Sequence, residues 1–171
     1  MTKLLYLIPI IFILLSSCKK RCIKKNCCTG TIEILTENYK TDSIGIYAPN
    51  AFTPNGDGIN DFFRIYLYNS LHTNYAFKVF KKKKEVFSTC DASEAWSGIV
   101  NGKIKRGRYN YTIQFKTIHN EIIQAKGEFC LLDHNNPQAI ENCNSCLFGD
   151  MIDPKHGIVN SESLDHSWIC D

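Results

Sequence analysis

Residues 46–63 read IYAPNAFTPNGDGINDFF, and this stretch decides the fold. Both of its ends are apolar and carry the β-branched and aromatic residues that favour a half-buried strand. Between the ends, thirteen residues are rich in proline, glycine, asparagine and aspartate. Proline sets φ, and the other three residue types tolerate the positive φ of tight turns. The stretch therefore predicts a strand, a tight polar loop and a second strand.

Residues 49–61, PNAFTPNGDGIND, also resemble the opening of the gliding-motility-associated C-terminal domain family. Later landmarks follow in that family's order: FKVF at 77–80 with VF at 86–87, WSG at 96–98 and GRYNY at 107–111. The resemblance covers residues 44–132. It implies an immunoglobulin-like β-sandwich that serves relatives as a type B sorting domain for type IX secretion.

The rest of the body predicts further strands. Residues 107–118 alternate an apolar face with a polar one, and residues 121–132 return beside them. Residues 75–80 and 85–88 predict a hairpin with a lysine-rich tip at 81–84, and residues 31–36 predict a short strand. We expect the indole of Trp96 to pack on the sandwich. These runs indicate an all-β, immunoglobulin-like antiparallel β-sandwich of about seven strands, with a cysteine-rich C-terminal extension.

The N-terminus has the pattern of an export signal. Residues 4–15 are apolar throughout, which is too short to span a bilayer but fits the core of a signal peptide. The following LSSC at residues 15–18 resembles a lipobox, so we expect a lipoprotein signal peptide at 1–17 and lipidation of Cys18. An ordinary signal peptide followed by a free cysteine is the alternative.

Residues 18–43 predict a basic, cysteine-containing tether that leads into the first strand. Five lysine and arginine residues lie within residues 19–25, and a basic segment beside a lipid anchor is attracted to anionic headgroups. A merely solvated tether is the alternative. Acidic residues just after the lipidated cysteine resemble a surface-export signal in bacteria with this domain, and none occur here. We therefore expect an anchor on the periplasmic face of the outer membrane.

Nine cysteines occur in the chain, and lipidation of Cys18 leaves eight. An oxidising periplasm favours disulfides among them, although sequence alone does not choose between the connectivities. A zinc site that uses Cys143-x-x-Cys146 with Cys170, His156 or His166 is the alternative, and export favours disulfides over it. The disulfide candidates are Cys22, Cys27, Cys28, Cys90, Cys130, Cys143, Cys146 and Cys170.

Charge separates the body from the C-terminal extension. Residues 18–132 carry a net charge of +8, whereas residues 133–171 carry −6. This asymmetry predicts that the acidic extension folds back on a basic face or contacts a different partner. The low apolar content of 133–171 predicts a disulfide-held loop system over the sandwich rather than a separate core.

The loop within the deciding stretch is also a candidate calcium site. Asn55, Asp57, Asn60 and Asp61 place four oxygen-bearing side chains within seven residues, and calcium prefers six to eight oxygen ligands. The alternative is that these side chains hydrogen-bond their own turn. No other cofactor is expected.

Two basic clusters, residues 81–84 and the group Lys103, Lys105, Arg106 and Arg108, predict cationic surfaces at sheet ends or edges. Lysine there discourages edge-to-edge association, and the alternative is a site for anionic lipid, polysaccharide or an acidic partner. No nucleophile motif, dinucleotide fingerprint or P-loop occurs in the sequence, so we expect no catalytic residues. Export makes nucleic acid an unsuitable partner.

Together these features predict a non-catalytic lipoprotein, anchored in the outer membrane through Cys18. Its β-sandwich is an interaction module associated with gliding motility or type IX secretion. Its expected partners are the membrane and an envelope protein or surface polysaccharide. One alternative is a type IX secretion cargo whose β-sandwich acts as the sorting signal. The second alternative is an enzyme of unrecognised type.

Overall fold

The computed structural model describes residues 30–39, 44–132 and 146–160 of the 171-residue chain. Within these ranges nearly all regular structure is β-strand, so the predicted all-β fold is confirmed. No helix of the described ranges is long and apolar enough to cross a bilayer. Several predicted features lie outside the described residues, namely the signal peptide 1–17, Cys18, Cys22, Cys27, Cys28, Cys143 and Cys170.

Twelve strands make up the described fold, and a single 3-10 turn, Gly149–Met151, precedes the last two. The strands are β1 Ile32–Ile34, β2 Gly45–Tyr47, β3 Ala51–Phe52, β4 Tyr66–Tyr68, β5 Ser70–Lys81, β6 Lys84–Thr89, β7 Ile99–Val100, β8 Lys103–Ile104, β9 Gly107–Thr117, β10 Ile122–Leu131, β11 Ile152–Asp153 and β12 Gly157–Ile158.

One six-stranded sheet dominates the fold. Its order is β1-β10-β9-β5-β6, with antiparallel pairing along that path, and β3 joins β10 in parallel. The short pairs β2–β4 and β7–β8 supply apolar side chains to the same core. The result is a sandwich-like arrangement, as the sequence predicts, in which one layer is continuous and the other is broken into small pieces.

The alternation of the sequence explains β9 and β10, two long neighbouring strands of the sheet. In β9, Tyr109, Tyr111, Ile113 and Phe115 are all buried, and the residues between them face outward. Side chains alternate across a strand, so this one period buries a complete face. The prediction that residues 107–118 and 121–132 form adjacent antiparallel strands is confirmed by the β9–β10 register.

The predicted hairpin is also confirmed, with a tighter tip. β5 and β6 pair as far as Lys81 and Lys84, so the turn consists of Lys82 and Lys83 alone. Lys82 has a φ of 58°, the left-handed conformation that two-residue hairpin turns use. The sequence predicted a four-residue tip because lysine carries no turn signal of its own.

An aromatic cluster fills the core, and the deciding stretch supplies two of its members. Phe63 stacks on Phe129 with ring centroids 3.5 Å apart, and Phe52 lies 5.7 Å from Trp96 and 5.9 Å from Phe129. Trp96 is 2 % exposed, which confirms that its indole packs on the sandwich. Burial of one such ring contributes about 2–3 kcal/mol. The polar loop is therefore anchored on both sides, by Phe52 of β3 before it and by Phe63, which forms an isolated β-bridge with Trp96, after it.

Gly98 shows why the WSG motif ends in glycine. Its φ is +80°, and a Cβ atom there would lie 2.5 Å from Leu131 and 3.2 Å from the ring of Phe52. Only a residue without a side chain combines that backbone conformation with that approach. The turn after Trp96 therefore closes directly over the core.

Candidate functional site

The polar loop at residues 55–61 curls around the carboxylate of Asp61. The Gly56 backbone N–H donates to Oδ1 at 2.6 Å, and the Gly58 N–H donates to Oδ2 at 2.7 Å. Both acceptors belong to one carboxylate, and hydrogen bonds to a carboxylate are in general shorter and stronger than those between neutral groups. One side chain therefore sets the path of the two glycines.

Asp57 and Asn55 stabilise the other half of the loop. The Asn55 side-chain amide donates to Asp57 Oδ2 at 2.7 Å, and the Asp57 N–H donates back to Asn55 Oδ1 at 3.1 Å. The Ile59 N–H donates to Asp57 Oδ1 at 2.8 Å. Asn and Asp side chains commonly replace backbone acceptors in this way.

These contacts bear on the calcium hypothesis. The carboxylate oxygens of Asp57 and Asp61 all accept hydrogen bonds from the loop itself. In the described ranges, no group of three or more His, Cys, Asp or Glu side chains is arranged to hold a metal ion. The geometry supports the alternative, in which the side chains stabilise their own turn, and calcium binding stays a prediction.

Asn60 connects the loop to the C-terminal extension. Its side-chain amide donates to Asp150 Oδ1 at 3.1 Å, and the Asp150 N–H donates to Asn60 Oδ1 at 3.0 Å. The two residues are 90 positions apart in the sequence. The fourth residue of the calcium candidate thus forms a reciprocal bridge between distant parts of the chain.

A second contact fixes the extension beside β3. The Leu147 N–H donates to Asn50 Oδ1 at 2.7 Å, and the Asn50 N–H donates to the Leu147 carbonyl at 2.8 Å. Phe148 is fully buried against Ala51 and Met151 in a small second apolar cluster. Residues 146–160 therefore pack beside β3, while the disulfide-held arrangement predicted for the extension stays a prediction.

Loop and extension together border an open groove of about 310 Å³. Phe62 is 53 % exposed there, next to Arg64 and Asp150. Burial raises the pKa of Tyr66, and the nearby Arg64 guanidinium partly opposes that rise. The groove therefore presents an exposed ring, a cation and a carboxylate side by side.

The structure brings the two predicted basic clusters together at one end of the sheet. Lys81 Nζ donates to the carbonyls of Arg106 at 2.9 Å and Lys105 at 3.3 Å, which joins the hairpin to the loop before β9. The same ammonium lies 3.0 Å from the hydroxyl of Tyr109 and 4.5 Å from its ring centroid. Burial lowers the pKa of Lys81. Arg108 pairs with Glu128 at 3.2 Å on the neighbouring strand.

The described cysteines behave differently from one another. Cys90 is exposed and its thiol is free, although the sequence predicted a disulfide for it. Cys90 follows β6, and β6 lies three strands from β10, the strand that carries Cys130. Three strand spacings are about 14 Å, so a disulfide between Cys90 and Cys130 is out of reach. Neither Cys130 nor Cys146 carries a free thiol. The pairing of the remaining candidates stays a prediction.

The zinc alternative has only two of its candidate residues in the described chain, Cys146 and His156. Nδ1 of His156 lies 3.3 Å from the Asp153 carboxylate, at an exposed turn. The Lys155 and His156 backbone N–H groups donate to the Asp153 carboxylate. These bonds and the His156 side chain together lower the pKa of Asp153. The position of His156 is therefore accounted for by contacts within its own turn.

Sequence reasoning missed three residues that shape the site: Asn50, Asp150, and Lys81 as a partly buried link between the hairpin and the loop before β9. Each acts through a partner at least 24 residues away along the chain. In the sequence Asn50 is one of several turn formers in the polar stretch 49–61, and only the structure shows that it is 6 % exposed. Asp150 has no distinguishing signal in the sequence either.

Comparison with known protein families finds one match. The model of the CHU_C Type IX secretion signal domain matches residues 36–129, more than half of the chain. The matched stretch includes the polar loop and the main sheet except β1 and the last residues of β10. No curated protein and no solved structure matches the chain.

Proposed function

The chain belongs to the CHU_C type IX secretion signal domain family, and from this premise we propose that it is a lipid-anchored outer-membrane protein with a non-catalytic recognition module. The β-sandwich of this module binds a component of the type IX secretion or gliding apparatus in the cell envelope. The loop at residues 55–61 is the centre of the binding surface, and the neighbouring groove accepts part of the partner.

The observation that carries the proposal is the construction of the loop. It is exposed, yet Asp61 and Asp57 set its shape from within, and Asn60 ties it to Asp150. A preorganised surface loses little conformational entropy when a partner binds. The hydrogen bonds of this loop fix the conformation of an exposed surface and do not orient a reactive group, which favours a role in recognition.

The lipid anchor is supported by the sequence. Residues 15–18 read LSSC after an apolar run of signal-peptide length, and the basic residues 19–25 follow directly. Acyl chains combined with a basic segment give stable membrane attachment, since one chain alone is only marginal. The expected location is the periplasmic face of the outer membrane.

The binding role is tested by crosslinking in intact cells that secrete through the type IX system. A photoreactive residue at position 62 is expected to capture an envelope protein. Asp61→Ala should abolish the capture because the loop loses the carboxylate around which it folds. Lys155→Ala, an exposed change outside the groove, is the matched control. Capture that is equal in both variants would contradict the proposal.

The anchor is tested separately by metabolic palmitate labelling. Label is expected on the wild-type protein and not on Cys18→Ala, with protection from external protease until the outer membrane is broken. An unlabelled wild-type protein would remove the anchor, and cleavage on intact cells would move it to the cell surface.

Use as a cargo-sorting signal is the second candidate, and the family match favours it. A reporter carrying an ordinary signal peptide is fused to residues 30–160, because β1 and the extension belong to the folded body. Release of the reporter by the type IX system would establish a sorting role. Retention in the periplasm supports the envelope module instead.

A further inference from the structure

One end of the large sheet collects several chain segments. Lys81 ends β5 and pairs with Lys84, which begins β6, while Gly107 begins β9 opposite Leu131 at the end of β10. Phe80 pairs with Asn110, so the hairpin turn and the start of β9 lie at the same end. The loop between β8 and β9 is tied to this end through Lys81.

Six exposed cations crowd this end, and we refer to them as the basic end. Among the ion pairs of the described chain, none involves any of the six. The basic end consists of Lys82, Lys83, Lys84, Lys103, Lys105 and Arg106.

Two acidic residues on the strands that lead to the basic end, Glu85 and Glu128, are already paired there. Glu85 lies 3.2 Å from Lys78, and Glu128 lies 3.2 Å from Arg108. Lys81 is held among backbone carbonyls and Tyr109. The structure thus uses the inner cations for internal contacts and leaves the six outer ones facing solvent.

The N-terminal tether joins the sandwich at this same end. β1 runs antiparallel to β10, with Ile32 opposite Gly127 and Ile34 opposite Ala125, so its first residue points towards the end of β10. A Cβ atom on Gly30 would lie 2.5 Å from that of Asn50, whose carbonyl accepts the Cys130 N–H at 2.8 Å. The described chain therefore begins beside the last residues of β10.

We propose that the basic end docks on the anionic phospholipid headgroups of the membrane that holds Cys18. This inference rests on the lipid anchor of the proposed function. It adds an orientation: the sandwich sits with the hairpin turn and the β8–β9 loop on the bilayer.

The length of the tether favours this orientation. Twelve positions separate Cys18 from Gly30, a span of about 40 Å when fully extended. β9 alone has 11 residues, which is about 37 Å of sheet. The basic end thus reaches the bilayer with a slack tether, whereas the far end would need an almost fully extended one. The shorter span gives the basic end the higher effective concentration at the membrane.

The chemistry of the surface also fits headgroups. Five of its six cations are lysines, compact point charges on flexible stems. They project from turns rather than from a cleft, which suits a charged plane better than a single small ligand. Each lysine near an anionic bilayer contributes about 1 kcal/mol, or about fivefold in binding.

The test uses the mature chain 18–171 with Cys18→Ser, which has no acyl chain. Its sedimentation with phosphatidylcholine vesicles is measured with and without phosphatidylglycerol. Binding is expected only with phosphatidylglycerol, and it should weaken as salt rises. Replacing two lysines in Lys82→Glu/Lys83→Glu should lower binding by about 25-fold or more.

A second pair and a matched control accompany this variant. Lys103→Glu/Lys105→Glu should lower binding similarly, so the result does not depend on one turn. Lys116→Glu/Lys155→Glu makes the same change in net charge outside the basic end, and Lys116 lies at the far end of β9. This control should bind within about twofold of the wild-type protein, and circular dichroism checks the fold of each variant.

Three results would overturn the proposal. They are absence of binding to phosphatidylglycerol vesicles, equal loss in the control, and unchanged binding in both test variants. Unchanged vesicle binding with lost retention on dextran sulfate would assign the surface to an anionic polysaccharide instead. Because every variant keeps the basic tether at residues 19–25 and none has an acyl chain, the difference between the test variants and the control reports on the basic end alone. Palmitate labelling of Cys18 in cells addresses the anchor independently.

Discussion

The polar loop at 55–61 and the hairpin turn at Lys82–Lys83 are both exposed, charged turns, but they use their charges in opposite ways. In the loop, Asp61 and Asp57 accept backbone hydrogen bonds and thereby set the path of the chain. In the hairpin, the β-ladder already sets the path, and the lysines make no ion pair within the described residues. Loop charge therefore contributes to conformation, whereas hairpin charge is available to a partner.

The same contrast extends to how each turn is anchored. The loop runs between buried aromatic residues, Phe52 before it and Phe63 after it. At the basic end, the loop before β9 is held through backbone carbonyls that accept from Lys81 and from the Tyr109 hydroxyl, and not through the six outer cations. Changes in the loop should therefore affect stability, and changes at the basic end should affect binding while leaving the fold intact.

The largest effect is expected from Phe63→Ala. Phe63 is fully buried and stacked on Phe129, and loss of such a ring costs about 3–5 kcal/mol. Phe62→Ala is the matched control one residue earlier, where the ring is 53 % exposed, and it should change stability by less than about 1 kcal/mol. Urea unfolding of both variants measures the difference. Similar costs would mean that the loop is not anchored through Phe63.

The next effect is expected from Asp61→Ala, which removes both oxygens from the Gly56 and Gly58 N–H groups. Each bond is to a charged acceptor but is partly exposed, so we expect a loss of about 2 kcal/mol in the free energy of unfolding. Asp61→Asn should recover part of that loss, because one side-chain oxygen remains. Thermal melting of the wild-type protein and the two variants checks this order of stability. Unchanged stability of Asp61→Ala would show that charge in the loop does not support its conformation.

A smaller, local effect is expected from Asn50→Ala. The Leu147 N–H loses its acceptor at 2.7 Å, and the side chain of Asn50 is nearly buried, so the cost is about 1–2 kcal/mol. Hydrogen exchange in residues 146–160 should rise far more than exchange in β9. Uniform acceleration across both segments would show that the extension and the sheet open together.

The smallest effect on stability is expected at the basic end. Lys83→Glu should change the free energy of unfolding by less than about 0.5 kcal/mol, because its side chain is exposed and forms no ion pair in the described structure. Lys82→Gly should stabilise by up to about 1 kcal/mol, since Lys82 holds a φ of 58°. Chemical denaturation measures both. A loss above 1 kcal/mol in Lys83→Glu would show that hairpin charge also supports the fold.

Several parts of this protein could be predicted from local sequence. The alternation in residues 107–118 and its return in 121–132 specify β9 and β10, because a two-residue period buries one face. The turn formers of 49–61 specify the loop, because proline fixes φ and glycine allows positive φ. The oxygen-rich residues of that loop were predictable, but sequence left calcium binding and turn formation open.

Other parts depended on the path of the whole chain. Cys90 was predicted to pair, yet the sheet order places it three strands from Cys130 with a free thiol. The parallel pairing of β3 with β10 has no sequence signal. The lipid anchor and the function of the tether lie outside the described residues, and they stay predictions.

Sequence alone specified the β-rich body, the position of the polar loop and the family. The strands and the loop follow from patterns within about twenty residues, where backbone preference and side-chain alternation act directly, and the family follows from landmarks spread along the body. Only the tertiary structure decided that Asn60 meets Asp150, that Asn50 holds Leu147, and that two separate lysine clusters form one basic end. These contacts join residues 24 to 97 positions apart, where no local period links the partners and the packing of the sandwich alone brings them together.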